Sequence, residues 1–439
     1  MIIGEPCRSV LRRLEEAGER AYLVGGSVRD GLLGEPVHDL DITTSARPER
    51  VMEVLSDLSP EPTGISHGTV TVTVEGIKAE ITTFRIDGCY SDSRRPDSVV
   101  FTDSLEEDLA RRDFTMNAVA MDLRGNITDP FGGASDIEKG IIRCVGDPRR
   151  RFTEDALRMM RAVRFASQLG FTIEEETRSA LMELSSRLSL VSRERLREEL
   201  DRLLLGKNLV SVMLGCREVM AQVIPELRPC FDFDQHSRYH RYTVYEHIVR
   251  AVAAAPKDLL LRRIMLLHDI GKPPMFTLDN AGEGHFKGHA PLSADMARQI
   301  MGRFGFDSAT IGRTCRLIAH HSDKIRDLPR LKRLLAELGL EELLLLMEVK
   351  KADNSAKNQF VMAENAYFDK LGETARQLIA DRACIDLKGL AVNGSDLNAA
   401  GLSGREVGQA LSLLLDRVID GELPNQREAL LSYIKEVRK

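Results

Sequence analysis

The sequence places two carboxylates, Asp39 and Asp41, in the string HDLDI at 38–42. The segment 40–43 is expected to form a short strand, and side chains two residues apart on a strand point to the same face. Carboxylates that share a face can hold Mg²⁺, which takes one or two protein carboxylates and adds phosphate oxygens to its shell. Two such ions could activate a hydroxyl nucleophile and stabilise a leaving pyrophosphate. The pair therefore predicts a magnesium site for nucleotidyl transfer.

A third carboxylate commonly completes such a site, and two residues compete for this role. Glu80 lies on an expected strand at 79–84, beside the region that should pair with the strand that carries Asp39 and Asp41. Asp113 is the competing residue. The sequence leaves this choice open.

A glycine pair, Gly25 and Gly26, separates an expected strand at 21–24 from an expected helix at 27–33. Glycines at the start of a helix leave backbone N–H groups exposed, and such groups bind phosphate oxygens. We expect this pair to hold the triphosphate of a nucleotide.

Four polar residues recur at every third position of a helix that we expect to begin at a Thr153 cap: Asp155, Arg158, Arg161 and Arg164. This spacing keeps neighbours on one helical face. A carboxylate accepts a hydrogen bond from the exocyclic amine of cytosine or adenine, and a guanidinium donates to the acceptor beside that amine. Uracil and guanine carry a carbonyl in place of the amine. The row predicts a surface that selects C and A, and the alternative is a salt-bridged, solvated helix face.

The C-terminal half contains a second group of candidate metal ligands. Its order, H…HD…D, resembles the HD superfamily of metal-dependent phosphohydrolases, in which a bound metal makes water a nucleophile. The alternative is a helical domain retained for shape and RNA docking. The candidate ligands are His247, His268, Asp269 and Asp353, with His289 and His320 for a second ion.

These residues need a scaffold, and the first 147 residues read as mixed α and β structure because apolar periods of two and of 3.6 alternate. After Pro148 the sequence is rich in helix formers, and strand signals nearly vanish. The expected strands are 21–24, 40–43, 69–75 and 78–85, and the expected helices in this first part are 10–18, 27–33 and 48–58.

The composition fits a globular cytoplasmic protein of 439 residues, with 43% hydrophobic and 29% charged residues. No apolar run approaches the roughly 18 residues of a membrane span, and the first ten residues lack the apolar core of a signal peptide. The seven cysteines are scattered without a CxxC pair, which indicates reduced thiols. The net charge is −6, but 143–164 holds seven Arg against three acids and could line a basic groove for RNA.

The string GGSVRDGLLGEPVHDLDITT at 25–44 resembles the signature of class II tRNA nucleotidyltransferases and bacterial poly(A) polymerases. Four further strings follow in the order of that family: RRDFTMNA at 111–118, DPFGG at 129–133, EDALRMMRAVRF at 154–165 and SRERLREE at 192–199.

The resemblance implies roles for individual residues. Asp155 and Arg158 would act as an amino-acid template for CTP and ATP, while Arg161 and Arg164 would support them or contact phosphates. Gly25, Gly26, Arg29 and Arg112 would bind the incoming nucleotide, and Asp39 and Asp41 would hold Mg²⁺.

The function that the resemblance implies is addition of C, C and A to the 3′ end of tRNA from CTP and ATP. The alternatives are an A-adding enzyme, a poly(A) polymerase or, from another class, an HD phosphohydrolase acting on RNA-end or nucleotide phosphates. The polar segment 87–100 resembles the flexible loop of enzymes that complete CCA and argues against an enzyme that adds only CC.

We therefore expect an α+β protein with Mg²⁺ at the transferase site, a further divalent metal in the HD domain, tRNA as partner and no membrane association. The expected domains are a nucleotidyltransferase head with a small mixed sheet at 1–147, an elongated helical neck with the base-selecting helix and an RNA-binding region at 148–225, an HD-type helical domain at 226–360 and a helical tail at 361–439.

Overall fold

The computed structural model describes residues 4–37, 39–88 and 98–437. The chain divides into two compact units, Met1–Arg228 and Pro229–Lys439. Across the described ranges, no helix has the length and apolar character needed to cross a membrane. The finer boundaries expected between head, neck, HD domain and tail stay predictions.

The strands described in the first unit are β1 (Ala21–Val24), β2 (Leu40–Thr44), β3 (Glu61–Gly64), β4 (Thr69–Val74), β5 (Ile77–Thr83), β6 (Arg85–Asp87), β7 (Val99–Phe101), β8 (Ala120–Met121), β9 (Ile127–Thr128), β10 (Ile141–Ile142) and β11 (Thr172–Ile173). Seven of them form a mixed sheet with the strand order β3-β4-β5-β2-β1-β8-β9. In this sheet β2 and β5 run parallel, whereas β1 pairs antiparallel with β2 and with β8. The expected small mixed sheet is confirmed.

The sheet follows from the period-2 pattern of its strands. In β4 the valines Val70, Val72 and Val74 are buried, and in β5 Ala79 and Ile81 are buried against them. The polar residues that alternate with them, Glu80 among them, face the other side of the sheet and are available to a site.

Helices cover the sheet and continue beyond it to the end of the first unit. The described helices are α1 (Glu5–Glu16), α2 (Gly25–Leu33), α3 (Pro48–Val54), α4 (Leu105–Ala110), α5 (Gly133–Lys139), α6 (Pro148–Glu154), α7 (Leu157–Leu169), α8 (Glu175–Leu184), α9 (Arg193–Leu204), α10 (Leu209–Gly215) and α11 (Arg217–Val223). Helix α2 begins directly at the end of β1 and ends at Gly34, whose φ of 75° is the left-handed cap that glycine favours.

In the second unit, residues 229–437 are described, and their regular structure is helical apart from one hairpin of two-residue strands, β12 (Thr277–Leu278) and β13 (Gly284–His285). Its described helices are α12 (Val244–Ala254), α13 (Leu259–Leu267), α14 (His289–Arg303), α15 (Ser308–His320), α16 (Leu328–Ser355), α17 (Gln359–Met362), α18 (Asn365–Ala380), α19 (Gly394–Ala399), α20 (Arg405–Ile419) and α21 (Arg427–Val437). The last three pack around a separate apolar cluster that includes Leu397, Leu414 and Leu430. The expected α+β class with a helical C-terminal part is confirmed.

Candidate active site

Three carboxylates meet on one face of the sheet in the first unit. Asp39 immediately precedes β2 and Asp41 is its second residue, so the two side chains share a face. The parallel pairing of β2 and β5 places Asp41 directly opposite Glu80. Asp39 and Glu80 are exposed and Asp41 is half-buried. This set of hard oxygen donors is what Mg²⁺ requires.

Asp41 lies at the centre of this negative field. Burial raises the pKa of its carboxyl, Arg112 opposes the rise, and the charges of Glu80 and Asp39 add to it. A bound cation would stabilise the ionised form of Asp41, which burial and the two neighbouring carboxylates disfavour. The electrostatics and the donor set therefore both fit a divalent metal.

The hydroxyl of Ser27 fixes the backbone that carries these carboxylates. It donates to the carbonyl of Asp39 and accepts from the N–H of Asp41, each at 2.9 Å. Ser27 lies on α2 and is only 2% exposed. It holds α2 against the start of β2, and the sequence analysis did not identify it.

The glycine pair borders the carboxylates closely. Gly25 has a φ of 65°, and a Cβ there would lie 2.9 Å from Asp41 Oδ2 and 3.3 Å from Arg112 Nη1. The backbone N–H of Gly26 donates a hydrogen bond to the Asp41 carboxylate. The pair thus lines the same space as Asp39, Asp41 and Glu80, and the position of Gly25 requires glycine.

For the nucleotide addition that the sequence resemblance implies, Gly25→Ala is therefore expected to lower activity by about 10 to 100-fold, the range typical for a change that displaces a partner of a metal ligand. The added methyl group must displace either the Asp41 carboxylate or Arg112. Incorporation of labelled CMP into tRNA lacking CCA measures the effect.

Gly18→Ala is the matched control, because Gly18 has a φ of 88° and open space around its Cβ position. Both variants carry the strain of a left-handed alanine, about 1 to 3 kcal/mol, so their melting temperatures should fall alike. Equal loss of activity in the two variants would show that strain alone causes the defect.

Asp113, the competitor for the third carboxylate, is fully engaged elsewhere. Its Oδ2 accepts from Arg161 Nε at 2.8 Å, and its Oδ1 accepts from the N–H of Phe114 and from Asn117 Nδ2 at 3.0 Å. Burial alone would raise the pKa of Asp113, but Arg161 and Asn117 hold it well below the ordinary value. Glu80 also has a partner, Lys78 Nζ at 2.6 Å, but Glu80 is the better candidate because it lies opposite Asp41 on the neighbouring strand.

Arg29 contacts neighbours within the protein. Its Nη1 donates to Asn117 Oδ1 at 2.9 Å, its Nε donates to Asp30 at 2.8 Å, and its guanidinium stacks on the ring of Phe165. The side chain is 8% exposed. Arg29 therefore links α2 to the Asp113–Asn117 pair, and its predicted contact with a nucleotide stays a prediction.

The prediction of one helix that begins at a Thr153 cap and carries Asp155 with the three arginines is wrong. Helix α6 ends at Glu154, Asp155 is extended with φ −138° and ψ 107°, and α7 begins at Leu157. The Asp155 carboxylate accepts from the N–H of Leu157 at 3.0 Å and so satisfies a donor at the start of α7. Asp155 thus lies at a junction of two helices and does not share one helical face with the arginines.

The arginines of α7 each have an acidic partner, and none of these partners is Asp155. Arg158 Nη1 donates to Glu154 at 2.8 Å, and Asp155 instead accepts from Arg195 Nη2 of α9 at 2.9 Å. Arg158 and Arg164 are less than 10% exposed, so the alternative of a solvated helix face does not describe them. Arg164 is bound by Glu199 at 2.5 Å.

A second cluster lies inside the second unit, around Asp269. Asp269 Oδ2 lies 3.2 Å from the Nε2 atoms of both His247 and His268, and its Oδ1 lies 3.3 Å from His289 Nε2. Asp353 Oδ1 lies 3.1 Å from His247 Nε2. The four predicted first-ion ligands are brought together, and Asp269 faces further ligands with its second oxygen.

His320 is not part of this cluster, and its prediction as a ligand is wrong. Its Nδ1 faces Asp323 at 2.9 Å, and its Nε2 faces Glu337. The neighbouring His321 lies in the cluster, with Nε2 at 3.5 Å from Asp269 Oδ1. The buried stripe of α15, which runs through Thr314 and Ile318, reaches His321 with helical spacing and not His320.

The histidines of the cluster are oriented as metal ligands are. The Nδ1 atoms of His268, His289 and His321 each lie 2.7 Å from a backbone carbonyl, and His247 Nδ1 lies 3.2 Å from the carbonyl of Ala356. Nδ1–H groups donated to carbonyls leave the Nε2 lone pairs directed at Asp269.

The charge balance of the cluster also favours a cation. Burial opposes a charge on His268, yet Asp269 and Asp353 raise its pKa to about 9. Burial lowers the pKa of His321 to about 4. A metal ion would replace the proton that the two carboxylates attract, so the donor set fits a divalent metal bound by nitrogen and oxygen.

A cavity of about 970 Å³ opens onto this cluster. Its wall carries Asp269, His289 and His321 together with the cations Lys272, Lys324, Arg326, Lys350 and Lys357. Cations around a metal cluster suit an anionic ligand such as a phosphate. The segment 87–100 was predicted to resemble the flexible loop of enzymes that complete CCA. Its residues 89–97 lie outside the described ranges.

Comparison with known proteins identifies three families along the chain. The family described as "Poly A polymerase head domain" matches residues 21–143, and "Probable RNA and SrmB- binding site of polymerase A" matches 170–230. The family described as "HD domain" matches 238–358.

Curated relatives of the chain carry the name "CCA-adding enzyme", among them those of Lactiplantibacillus plantarum and Leuconostoc mesenteroides. That of Lactiplantibacillus plantarum is 35% identical over 446 residues, covering 99% of this chain and 96% of the relative. That of Leuconostoc mesenteroides is 52% identical over 217 residues, covering 49% of this chain and 54% of the relative, so there the chain spans about half the length of the protein it matches.

A solved structure resembles the whole chain. The crystal structure of the Bacillus stearothermophilus CCA-adding enzyme in complex with CTP superposes with a TM-score of 0.72 at 30% identity. The match covers 99% of this chain and 98% of that one.

Proposed function

The chain belongs to the family of CCA-adding enzymes, and from this premise we propose that it adds C, C and A to the 3′ end of tRNA, using CTP and ATP and releasing pyrophosphate. The observation that carries the proposal is the meeting of Asp39, Asp41 and Glu80 beside Gly25 and Gly26. A tRNA substrate would place the enzyme in the cytoplasm.

In this proposal Asp39, Asp41 and Glu80 hold Mg²⁺. The bound ions would activate the 3′-hydroxyl of the RNA and neutralise the pyrophosphate. Gly25 and Gly26 offer backbone N–H groups to the triphosphate, as glycines at a helix start do. Most of the rate enhancement would come from positioning the two reactants and from electrostatic stabilisation.

Asp155 and Arg158 are proposed to select the base. Asp155 Oδ1 accepts from the N–H of Leu157 and from Arg195 Nη1, whereas Oδ2 accepts from Arg195 Nη2 and keeps a second lone pair for the amine of cytosine or adenine. Arg161 and Arg164 support this helix through Asp113 and Glu199.

Supplying the nucleotides singly separates this function from A addition and from polyadenylation. With tRNA lacking CCA, CTP alone should give ends in CC, and ATP should then add a single A. Addition of A but not C would indicate an A-adding enzyme, and A tails on unrelated RNA would indicate a poly(A) polymerase.

For the second unit we propose a divalent-metal site that hydrolyses phosphoesters, as a second activity beside nucleotide addition. The specific observation is the convergence of four Nε2 atoms and two carboxylates at the wall of a cation-lined cavity. A metal bound there would lower the pKa of water and make it a nucleophile. The nature of the phosphoester is left to a substrate screen.

His321→Ala is expected to weaken Mn²⁺ binding to the protein by more than about tenfold, because it removes a ligand and not only a partner of one. His320→Ala is the matched control, since that ring contacts Asp323 and Glu337 outside the cluster. Calorimetric titration of both variants measures the effect. If Mn²⁺ binding weakened in His320→Ala and not in His321→Ala, the assignment of His321 to the metal cluster would be wrong.

A further inference from the structure

Asp108 is a buried carboxylate to which the sequence analysis gave no role. It lies in the first turn of α4 and is 0% exposed. Its Oδ1 accepts from Arg111 Nη2 at 2.8 Å, and its Oδ2 accepts from Thr43 Oγ1 at 3.0 Å and from Arg112 Nη2 at 3.3 Å. A charge so far from water requires such partners.

The partners of Asp108 connect it to the transferase site from the strand side. Thr43 follows Asp41 by two residues on β2, so both side chains lie on the same face of the sheet. The row Asp39, Asp41 and Thr43 thus leads from the metal-binding carboxylates to Asp108.

Arg112 connects Asp108 to the same site from the other side. A Cβ built on Gly25 would lie 3.3 Å from Arg112 Nη1 and 2.9 Å from Asp41 Oδ2, so both groups border the same space beside this glycine. Yet within the ranges that the structure describes, Arg112 forms its ion pair with Asp108 and none with Asp41. The guanidinium nitrogen nearest Gly25 is Nη1, so Arg112 directs donors toward the glycine pair.

Asp41 and Asp108 compete for the guanidinium of Arg112. A guanidinium close to an ionised carboxylate pairs with it when no other acid holds it, and a paired Asp41 would be a poorer ligand for a cation. Asp108 supplies the other acid. It also binds Arg111, whose carbonyl accepts from Arg158 Nη2 at 3.2 Å, so the same carboxylate supports a base-selecting residue.

We propose that Asp108 is a positioning residue of the transferase site, which holds Arg112 toward the triphosphate at Gly25 and Gly26 and away from Asp41. The inference rests on the proposed nucleotide-adding function. Asp108 acts through Arg112 and touches neither nucleotide nor metal.

Asp108→Asn keeps the shape of the side chain and removes its charge. We expect the Kd for CTP, measured by calorimetry in metal-free buffer with EDTA, to rise by about tenfold, within the range of coupling found between residues of one network. Mn²⁺ binding at the transferase site is measured in an Asp269→Asn background, which removes the metal site of the second unit, and a further Asp41→Asn change gives the blank. In this background Asp108→Asn should weaken Mn²⁺ binding, because Arg112 then pairs with Asp41. Glu106→Gln, an exposed acid of the same helix, should change neither constant.

The double variant Asp108→Asn/Arg112→Gln decides the mechanism. If Asp108 acts through Arg112, the double variant binds CTP as Arg112→Gln alone does, and the two effects do not add. Additive effects, or an unchanged Kd in Asp108→Asn, would overturn the proposal.

Thr43→Val gives a second test that does not depend on the folding of Asp108→Asn. It removes one hydrogen bond to Asp108 and should raise the Kd for CTP by a smaller factor, again without effect when Arg112 is already Gln. A wild-type protein that fails to bind CTP with Mg²⁺ present would contradict the proposed function itself. Wild-type binding with an unaffected Thr43→Val would contradict only the role of Asp108.

Discussion

Asp41→Asn is expected to lower the rate of CMP addition to tRNA by more than about 100-fold. Removal of a residue that only hydrogen-bonds a metal ligand already costs up to about 100-fold, and loss of a ligand itself should cost more. Asp41 lies between Asp39 and Glu80 in the carboxylate group, and an amide offers a neutral oxygen and a donor in its place. The shape of the side chain is kept, so the fold should persist. Single-turnover incorporation at saturating CTP measures the loss.

Two matched variants show whether the effect belongs to this site. Asp57→Asn removes an exposed acid of the same unit that pairs with Arg13, and it should keep full activity. Asp269→Asn should abolish metal binding in the second unit and leave CMP addition intact. If Asp41→Asn retained most of its activity, the metal assignment would be wrong.

The second large effect is expected at Asp155. Asp155→Asn converts an acceptor-only group into one that also donates to a carbonyl, such as that of uracil. The ratio of kcat/KM for CTP over UTP should fall by about 10 to 100-fold, which is the discrimination of a good pair of hydrogen bonds to a base. Steady-state kinetics with each nucleotide measures this ratio.

Asp147→Asn is the control for Asp155→Asn. Asp147 also accepts from a backbone N–H at a helix start, that of Arg149 at the beginning of α6. Loss of a helix cap therefore affects both variants, whereas loss of base choice should affect only Asp155→Asn. An unchanged ratio in Asp155→Asn would remove this residue from base selection.

At the carboxylate site, the local sequence pattern predicted the strands but not their pairing. The period-2 alternation of TVTVTV and of the neighbouring segments predicted the strands that became β2, β4 and β5 to within about two residues. Since side chains alternate on strands, the shared face of Asp39 and Asp41 followed. The register that sets Asp41 against Glu80 is a pairing of distant segments, and no local signal fixes it.

The junction at Asp155 shows where local pattern fails. Helix formers flank this residue on both sides and no Gly or Pro marks a break, so one continuous helix was the natural expectation. The signal that existed was Asp itself, a preferred capping residue, but the contact that holds it comes from Arg195 on a helix 40 residues away in the sequence.

His321 and Asp108 are two different kinds of omission. His321 could have been found, because its spacing from Thr314 and Ile318 continues the buried face of α15. Asp108 could not, because its role arises from Thr43, Arg111 and Arg112 meeting around one carboxylate. An acid in a charged string is otherwise expected at the surface.

Sequencing the 3′ ends of a tRNA that lacks CCA, after incubation with the protein, Mg²⁺ and all four nucleotides in competition, tests the central claim most directly. The account predicts ends that read CCA and then stop, without U or G, and no extension in Asp41→Asn. Homopolymeric A tails, or ends with all four bases in similar amounts, would contradict it.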